Sequence, residues 1–240
     1  MEFLKKLSVR NKDAWNTRPL LIAVLGDSVS HGCFDVFYNE QGRIDTLYDP
    51  ESGYAAQLQR RLRRLYPAAA VTVMNAGVSG NQACHGLARL ERDVLSRDPD
   101  LVIVAFGLND CMEGLEALAR YESSLRGIFA GVQAHGAECM LLTEQRMCSY
   151  VSCHLTDPRL REGAAKCAQK QNDGTLDRYM DAARSVAAEM RVPVADAYAV
   201  WNRLEAHGVD TTAMLSNYTS HPTPEASEIF VDVILETLMR

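Results

Sequence analysis

Five short apolar runs rich in β-branched residues recur along the chain, separated by stretches with helical periodicity. The runs cover residues 20–27, 71–78, 101–110, 138–145 and 192–198. Most lack the alternation of apolar and polar residues that marks a half-exposed strand, so we expect strands buried on both faces. Strands that alternate with helices form parallel sheets with right-handed crossovers. The pattern therefore predicts an α/β fold, a three-layer α/β/α sandwich around a five-stranded parallel sheet of flavodoxin-like arrangement.

The intervals between the runs show the three- and four-residue spacing of amphipathic helices. Residues 54–66 carry leucines on one side and arginines on the other, and a second helical pattern stops at Gly136, a residue suited to a C-cap. Thr223 and Pro224 predict the N-cap and the first turn of a final helix. Residues 146–170 have no clear periodicity, and we expect a long polar loop there, of the kind that often carries function.

Size and charge limit the class of protein. The chain has 240 residues, 47% of them hydrophobic, which fits a single domain over residues 1–240 with a polar N-terminal leader over about residues 1–19. The leader has no long apolar core and no small-residue cleavage site, so it does not resemble a secretory signal. The net charge of -6 gives no general attraction for nucleic acid or for anionic membranes, and we expect neither as a partner.

The seven cysteines are an odd number, and their spacing shows no disulfide framework. Free thiols are typical of a reducing compartment, so we expect a cytoplasmic protein. Cys148, Cys153 and His154 lie close together in the sequence, but they lack the second ligand pair that zinc sites usually have. We therefore expect no metal at these residues, which fit the thiols of a surface loop.

Four polar segments stand at the ends of the predicted strands or before the last helix. Ser28 follows the first run, Gly80 the second and Asn109 the third, and His221 precedes the final helical pattern. Taken singly, Ser28 could be an N-cap and Asn109 a turn residue. In an open parallel sheet, however, functional groups gather at the carboxyl ends of the strands. Together these segments would supply a hydroxyl, a backbone N–H, a carboxamide and an imidazole, the groups that acyl transfer needs.

The same segments resemble the four motif blocks of the SGNH hydrolases, also called the GDSL esterases and lipases. They read "GDSVSHG", "GVSGN", "FGLND" and "SHPTPEA", in the family's order and over nearly the whole chain. The resemblance implies the flavodoxin-like fold, no cofactor, Ser28 as nucleophile and His221 as general base. It also implies an oxyanion hole made by the backbone N–H groups of Ser28 and Gly80 and the side chain of Asn109.

The last block departs from the family pattern, in which an acid three residues before the histidine orients the imidazole. Here that position is Tyr218, and no Asp or Glu lies between Asp210 and His221. A backbone carbonyl near Asn217 or Tyr218, or the Asn217 side chain, could hold the imidazole N–H instead. An acid from elsewhere could also reach it, and the nearest candidates are Asp196, Asp210 and Glu225. The remaining alternative is a catalytically impaired protein.

The sequence therefore predicts a serine esterase whose partner is a small-molecule ester. Residues 33–53 and 146–170, which we expect to line the site, are polar and contain no apolar lid for long acyl chains. This favours short acyl esters, such as acetyl groups on a carbohydrate. The main alternative is an SGNH scaffold that binds an acylated sugar or another small ligand without cleaving it. A flavin-binding module is also conceivable, but the first loop has too few glycines to cradle a phosphate.

Overall fold

A computed structural model describes residues 1–240 of the chain. In chain order its strands are β1 (Leu20–Gly26), β2 (Cys33–Tyr38), β3 (Ile44–Tyr48), β4 (Val71–Gly77), β5 (Leu101–Ala105), β6 (Glu138–Leu142) and β7 (Val194–Ala195). Five of them form one parallel sheet in the order β4-β1-β5-β6-β7. Numbered by their sequence within this sheet, the order is two-one-three-four-five, as in flavodoxin-like folds. The structure thus confirms the predicted fold class.

Helices cover both faces of this sheet. They are α1 (Glu2–Lys12), α2 (Ser28–His31), α3 (Tyr54–Leu65), α4 (Ala83–Asp93), α5 (Leu108–Cys111), α6 (Leu118–His135), α7 (Pro158–Asn172), α8 (Thr175–Glu189), α9 (Ala197–Ala206) and α10 (Glu228–Met239). One layer contains α1, α3 and α10, and the other contains α4, α6 and α8. All five residues of β5 are buried, because this strand lies in the middle of the sheet between the two layers. Gly136 ends α6 in the left-handed conformation, as the sequence predicted.

Strands β1, β4 and β5 end at the same level, at the carboxyl edge of the sheet. Gly26, the last residue of β1, lies opposite Gly77 of β4 and Ala105 of β5. The reversal of strand order beside β1 opens a crevice outside these carboxyl ends, where ligands bind in open α/β sheets. The loops that follow β1, β4 and β5 therefore start from one place.

Four local features differ from the sequence-based expectations, and two of them lie in segments that we expected to line the site. The supposed long loop contains α7, with Pro158 at the first helical position and the side chain of Asp157 accepting a hydrogen bond from the Arg159 N–H at 2.8 Å. Proline suits this position because its missing N–H would have no partner there. Residues 33–48 form an antiparallel hairpin, β2–β3, outside the main sheet, which was not predicted. Both segments thus contain regular secondary structure.

The last helix begins later than its sequence signals indicated. It starts at Glu228, whereas Thr223 and Pro224 lie in a preceding turn, in which the Thr223 hydroxyl accepts a hydrogen bond from the Ala226 N–H at 3.1 Å. At the other end of the chain, the segment described as a polar leader contains α1. Its Phe3 side chain is completely buried and belongs to the main core.

Two findings concern membranes and metals. None of the helices combines the length and the apolar composition that crossing a bilayer requires. The side chains of His, Cys, Asp and Glu nowhere gather in a group of three that could hold a metal ion. All seven cysteines are free thiols, and the buried Cys148 donates to the carbonyl of Ala164.

Candidate active site

Ser28 stands where β1 passes directly into the short helix α2. The side chain of Asp27 caps this helix by accepting the N–H of Val29 at 3.0 Å, and Ser28 is its first residue. The change of direction requires glycine at position 26, since a Cβ there would lie 2.1 Å from the Ser30 hydroxyl oxygen. The result is a serine hydroxyl at the carboxyl edge of the sheet, with 8% of the residue exposed.

His221 reaches the serine from the opposite end of the chain. It lies in the loop before α10, where the Ser216 N–H donates to the His221 carbonyl at 2.8 Å and Leu215 bridges to Pro222. A small apolar cluster that includes Trp201 and Leu215 supports this loop, apart from the main core. His221 Nε2 lies 2.8 Å from the Ser28 hydroxyl oxygen. Burial lowers the pKa of His221 to about 4, so the imidazole is neutral near pH 7.

The other imidazole nitrogen faces the side chain of Asn217. Asn217 Nδ2 lies 2.7 Å from His221 Nδ1. Asn217 Oδ1 accepts three backbone N–H groups, from Thr219, Ser220 and His221, at 3.1, 3.0 and 3.0 Å. The Asn217 oxygen therefore stabilises the loop through these three hydrogen bonds, and the Asn217 nitrogen contacts the imidazole.

Tyr218, which occupies the position of the family's acid, does not contact the imidazole. Its backbone has a φ of +54°, in the left-handed region that residues other than glycine rarely adopt. Its ring stacks on that of His154, with the two ring centroids 5.0 Å apart. No backbone carbonyl forms a hydrogen bond with His221 Nδ1.

The three acids that could have reached the histidine are engaged elsewhere or exposed. Asp210 accepts a hydrogen bond from a tyrosine hydroxyl at 2.6 Å. Asp196 forms an ion pair with Arg184 at 2.9 Å. Glu225 is exposed and its side chain forms no hydrogen bond. The polar group on Nδ1 is therefore the amide of Asn217.

Gly80 follows β4 in a turn closed by the Asn81 N–H, which donates to the Val78 carbonyl at 3.1 Å. Its φ of +77° favours glycine, and a Cβ at this position would meet no atom within 4 Å. The Gly80 N–H has no acceptor within the protein. The N–H of Ser28 has no intrahelical acceptor, because it belongs to the first residue of a helix. Two backbone donors therefore stand at this edge.

Asn109 lies in α5, directly after β5. Its Nδ2 donates to Asp27 Oδ2 at 3.1 Å and to the Asn81 carbonyl at 3.0 Å. Both amide hydrogens are thus engaged within the site, and an incoming oxyanion would have to share one of them. The two acceptors fix the direction of the amide and link the loops that follow β1, β4 and β5.

Arg89 also organises the site, and sequence reasoning missed it. Its buried guanidinium donates to the carbonyls of Gly26 and Ala76 at 2.9 and 2.6 Å, and to Asn81 Oδ1 at 2.9 Å. It therefore ties the ends of β1 and β4 to the turn that holds Gly80. One signal was available, since Arg89 falls on the apolar face of the α4 pattern, where an arginine requires internal partners.

Three buried carboxyl groups lie beneath this edge, at Asp27, Asp110 and Glu144. Burial raises the pKa of Asp27 and that of Asp110 to about 7. It raises the pKa of Glu144 well above the usual range, and the charges of Asp27 and Asp110 add to this. Asp110 accepts the N–H of Ala83 at 3.0 Å and so caps α4. Asp27 and Asp110 bind the loops around the site through these hydrogen bonds, whereas Glu144 Oε1 is buried without a hydrogen-bond partner. None of the three acids forms a hydrogen bond with the imidazole.

Together these residues form a recognisable chemical arrangement. A hydroxyl within hydrogen-bond distance of a neutral imidazole can act as a nucleophile assisted by a base. Backbone N–H groups at the same edge can stabilise a negatively charged oxygen. The arrangement fits acyl transfer, with the unusual feature of an amide where an acid normally stands.

Comparisons with known proteins agree with this chemistry. The model of the GDSL-like lipase/acylhydrolase family matches residues 24–229. The acetylxylan esterase of Geobacillus stearothermophilus is 26% identical over 189 residues, which are 75% of this chain and 77% of the relative. Esterase TesA of Pseudomonas aeruginosa is 34% identical over 94 residues, 39% of this chain and 45% of the relative.

Two solved structures show the same fold. Axe2, an acetylxylan esterase from Geobacillus stearothermophilus, superposes with a TM-score of 0.66 at 21% identity, covering 92% of this chain and 94% of that one. A two-domain esterase, CEX, active on acetylated mannans, gives a TM-score of 0.68 at 22% identity, covering 98% of this chain and 52% of that one.

Proposed function

Since this chain belongs to the GDSL-like lipase/acylhydrolase family and is a carboxylic ester hydrolase, we propose that it removes short acyl groups, above all acetyl groups, from esters of carbohydrates. The contact between Ser28 and His221, 2.8 Å between hydroxyl oxygen and Nε2, is the observation that carries the proposal. A hydroxyl is a weak nucleophile unless a neighbouring base takes its proton. This pair supplies both groups.

In the proposed reaction, Ser28 attacks the ester carbonyl while His221 takes the hydroxyl proton. The resulting oxyanion accepts hydrogen bonds from the N–H groups of Ser28 and Gly80 and from the Asn109 amide. His221 then gives its proton to the leaving alcohol, and the acyl group remains on Ser28. In the second half, His221 takes a proton from water as the water oxygen attacks the acyl carbonyl. His221 then gives this proton to the Ser28 oxygen as its bond to the acyl group breaks, which releases the carboxylic acid and restores the hydroxyl.

The preference for a small acyl group has two supports. Ser28 and His221 are only 8% and 7% exposed, so only a small part of each residue is open to a substrate. The relative that covers three quarters of this chain is named for acetylxylan, an acetylated carbohydrate. The seven free thiols support a reducing compartment, and we include a cytoplasmic location in the proposal.

A second candidate function is binding without cleavage. Its motivation is the amide at His221 Nδ1, because exchanging the acid of a catalytic triad for an amide lowers turnover about ten-thousandfold in serine proteases. Such a protein would bind acetylated sugar and release no acetate.

The deciding experiment compares acetate, butyrate and octanoate esters of p-nitrophenol and acetylated xylooligosaccharides as substrates. We expect release of acetate to be fastest and Ser28→Ala to lose about a thousandfold or more of the rate while keeping its circular dichroism spectrum. Ser185→Ala, an exposed serine on α8, serves as the control and should keep full activity. Equal activity in Ser28→Ala would refute the assigned nucleophile. Calorimetric binding of the acetylated sugar with no acetate release would favour the second candidate.

A further inference from the structure

The orientation of the Asn217 amide is fixed by the backbone around it. Its oxygen accepts three N–H groups, those of Thr219, Ser220 and His221, each at 3.0 or 3.1 Å. Rotating the amide by half a turn would direct its own two N–H bonds against these three donors. The assignment of oxygen and nitrogen therefore rests on the hydrogen-bond network and leaves no equivalent alternative.

The amide nitrogen consequently faces His221 Nδ1 as a donor. At 2.7 Å, Asn217 Nδ2 can form a hydrogen bond only with an Nδ1 that carries a lone pair and no proton. A neutral imidazole with bare Nδ1 carries its single proton on Nε2. Nε2 is the atom that contacts the Ser28 hydroxyl oxygen at 2.8 Å. In the resting site the imidazole thus donates to the serine and has no lone pair with which to accept its proton.

We propose that Asn217 is a positioning residue that holds His221 in the tautomer protonated on Nε2, so that the resting site is restrained from acting as a general base. The inference rests on the proposed function, in which His221 must accept a proton at Nε2. To do so, Nε2 must first release its proton to water while Nδ1 takes one from water. This exchange breaks the hydrogen bond from Asn217, because the Nδ2–H of Asn217 then faces the new Nδ1–H of His221, and both groups are donors. The activation free energy of the reaction, measured from the resting site, includes this cost.

The other groups around the ring do not remove the restraint. The Cys33 thiol lies 3.9 Å from Nδ1, and burial, with the charges of Asp35 and Asp27 adding to it, raises the pKa of this thiol to about 12, so it stays neutral. The Asp27 carboxyl group, next to Ser28 in the chain, is bound to the Val29 N–H and to a side-chain amide. No neighbouring group therefore supplies a negative charge to Nδ1.

Asn217→Asp is the decisive substitution because it changes one atom of the contact. One carboxylate oxygen keeps the three backbone N–H groups, and the other faces Nδ1 as an acceptor. The imidazole proton then belongs on Nδ1, and Nε2 has its lone pair free. We expect kcat on p-nitrophenyl acetate to rise about tenfold or more. We also expect the acid limb of the pH profile to move to higher pH, because a carboxylate stabilises the imidazolium.

A matched control separates this effect from a general change of charge. Asn202→Asp makes the same replacement on α9, where Asn202 Oδ1 accepts from Arg146, and it should change neither kcat nor the pH profile. If Asn217→Asp is folded, as judged by circular dichroism, and shows unchanged or lower kcat with an unmoved acid limb, the proposal is wrong.

The tautomer itself can be observed without any assay of activity. A correlation spectrum of protein with isotope-labelled histidine nitrogens reports which ring nitrogen carries the proton, and His221→Gln identifies the signals of this ring among the six histidines. We expect wild-type His221 to be protonated on Nε2. Protonation on Nδ1 would overturn the proposal even if the substituted protein fails to fold. If the wild-type protein has no esterase activity, the proposed function is wrong, but the nitrogen spectrum still shows which tautomer His221 adopts.

Discussion

The amide nitrogen of Asn109 lies 3.1 Å from Asp27 Oδ2. Asp27 therefore caps α2, the helix that begins with Ser28, and also orients the Asn109 side chain in the segment that follows β5. Asp27 has no exposed surface, and its second oxygen accepts the N–H of Val29. One carboxyl group thereby sets the relative position of Ser28, the proposed nucleophile, and of Asn109, a proposed oxyanion donor.

Asn109→Ala tests this donor. Removing the amide takes away a hydrogen bond that strengthens as charge develops, and we expect kcat to fall by about a hundred- to a thousandfold with a smaller effect on KM. Steady-state kinetics on p-nitrophenyl acetate measure the change, with Asn172→Ala on α7 as the control. A decrease of less than tenfold would mean that Asn109 serves only to tie the loops together.

The pH dependence should reveal the buried histidine. Burial lowers the pKa of His221 to about 4, and the base must be neutral to act, so activity should persist on acidification and decline only near that pH. A profile of kcat/KM between about pH 3.5 and pH 8, with circular dichroism at each point, measures the free enzyme's groups. An acid limb centred near the ordinary histidine value would show that the ring is more hydrated than the structure indicates.

Asp110→Asn should reduce the dependence of stability on pH. Burial raises the pKa of Asp110 in the folded protein to about 7, so between its ordinary value of 3.8 and 7 only the unfolded chain releases the proton. The free energy of unfolding therefore falls as pH rises through this window. Asparagine keeps an acceptor for the Ala83 N–H and removes the charge. The decrease in the free energy of unfolding over this pH window should therefore be smaller in Asp110→Asn than in the wild type, by roughly 2–4 kcal/mol.

Urea denaturation at the two ends of this pH window measures the Asp110 effect. The exposed Asp181→Asn is the matched control and should follow the wild type. If the free energy of unfolding changes between these pH values by the same amount in the wild type and in Asp110→Asn, the pKa of Asp110 is not raised.

Arg89→Met tests the link beneath the site. The variant leaves the carbonyls of Gly26 and Ala76 without their donor in a buried place, and we expect a loss of about 2–4 kcal/mol in the free energy of unfolding. Arg92→Met, on the same helix but largely exposed, should change it by less than about 0.5 kcal/mol. Chemical denaturation provides both values. Similar values for the two variants would remove Arg89 from the framework of the site.

The sheet was readable from the sequence because its strands are buried on both faces, which leaves short, nearly continuous apolar runs. The hairpin β2–β3 was not, because most of its apolar residues other than Cys33 and Phe34 are at least partly exposed. Phe37, Ile44 and Leu47 show 43%, 64% and 57% of their surface, so no periodic burial marks the segment. Helix α7 was missed because residues 146–170 show no clear helical periodicity, although Pro158 is a residue that suits the first helical position.

The contact between Ser28 and His221 could be predicted from motif order, but the protonation state of the histidine could not. The sequence shows that Tyr218 replaces an acid, and it names Asn217 as a neighbour. Which atom of the Asn217 amide meets the ring depends on three backbone N–H groups that converge only when the loop is folded. The direction of this hydrogen bond depends on the folded loop and cannot be predicted from the spacing of residues in the sequence.

Ser28 and His221 are separated by 193 positions, and their contact has a consequence for how the protein matures. A ribosome makes Ser28 directly after the first strand of the main sheet and His221 only after all five strands. A nascent chain therefore carries an inert serine until the last loop docks. During refolding, the recovery of esterase activity would accordingly report when the loop that carries His221 docks. The far-ultraviolet circular dichroism signal would report the earlier formation of the sheet and helices.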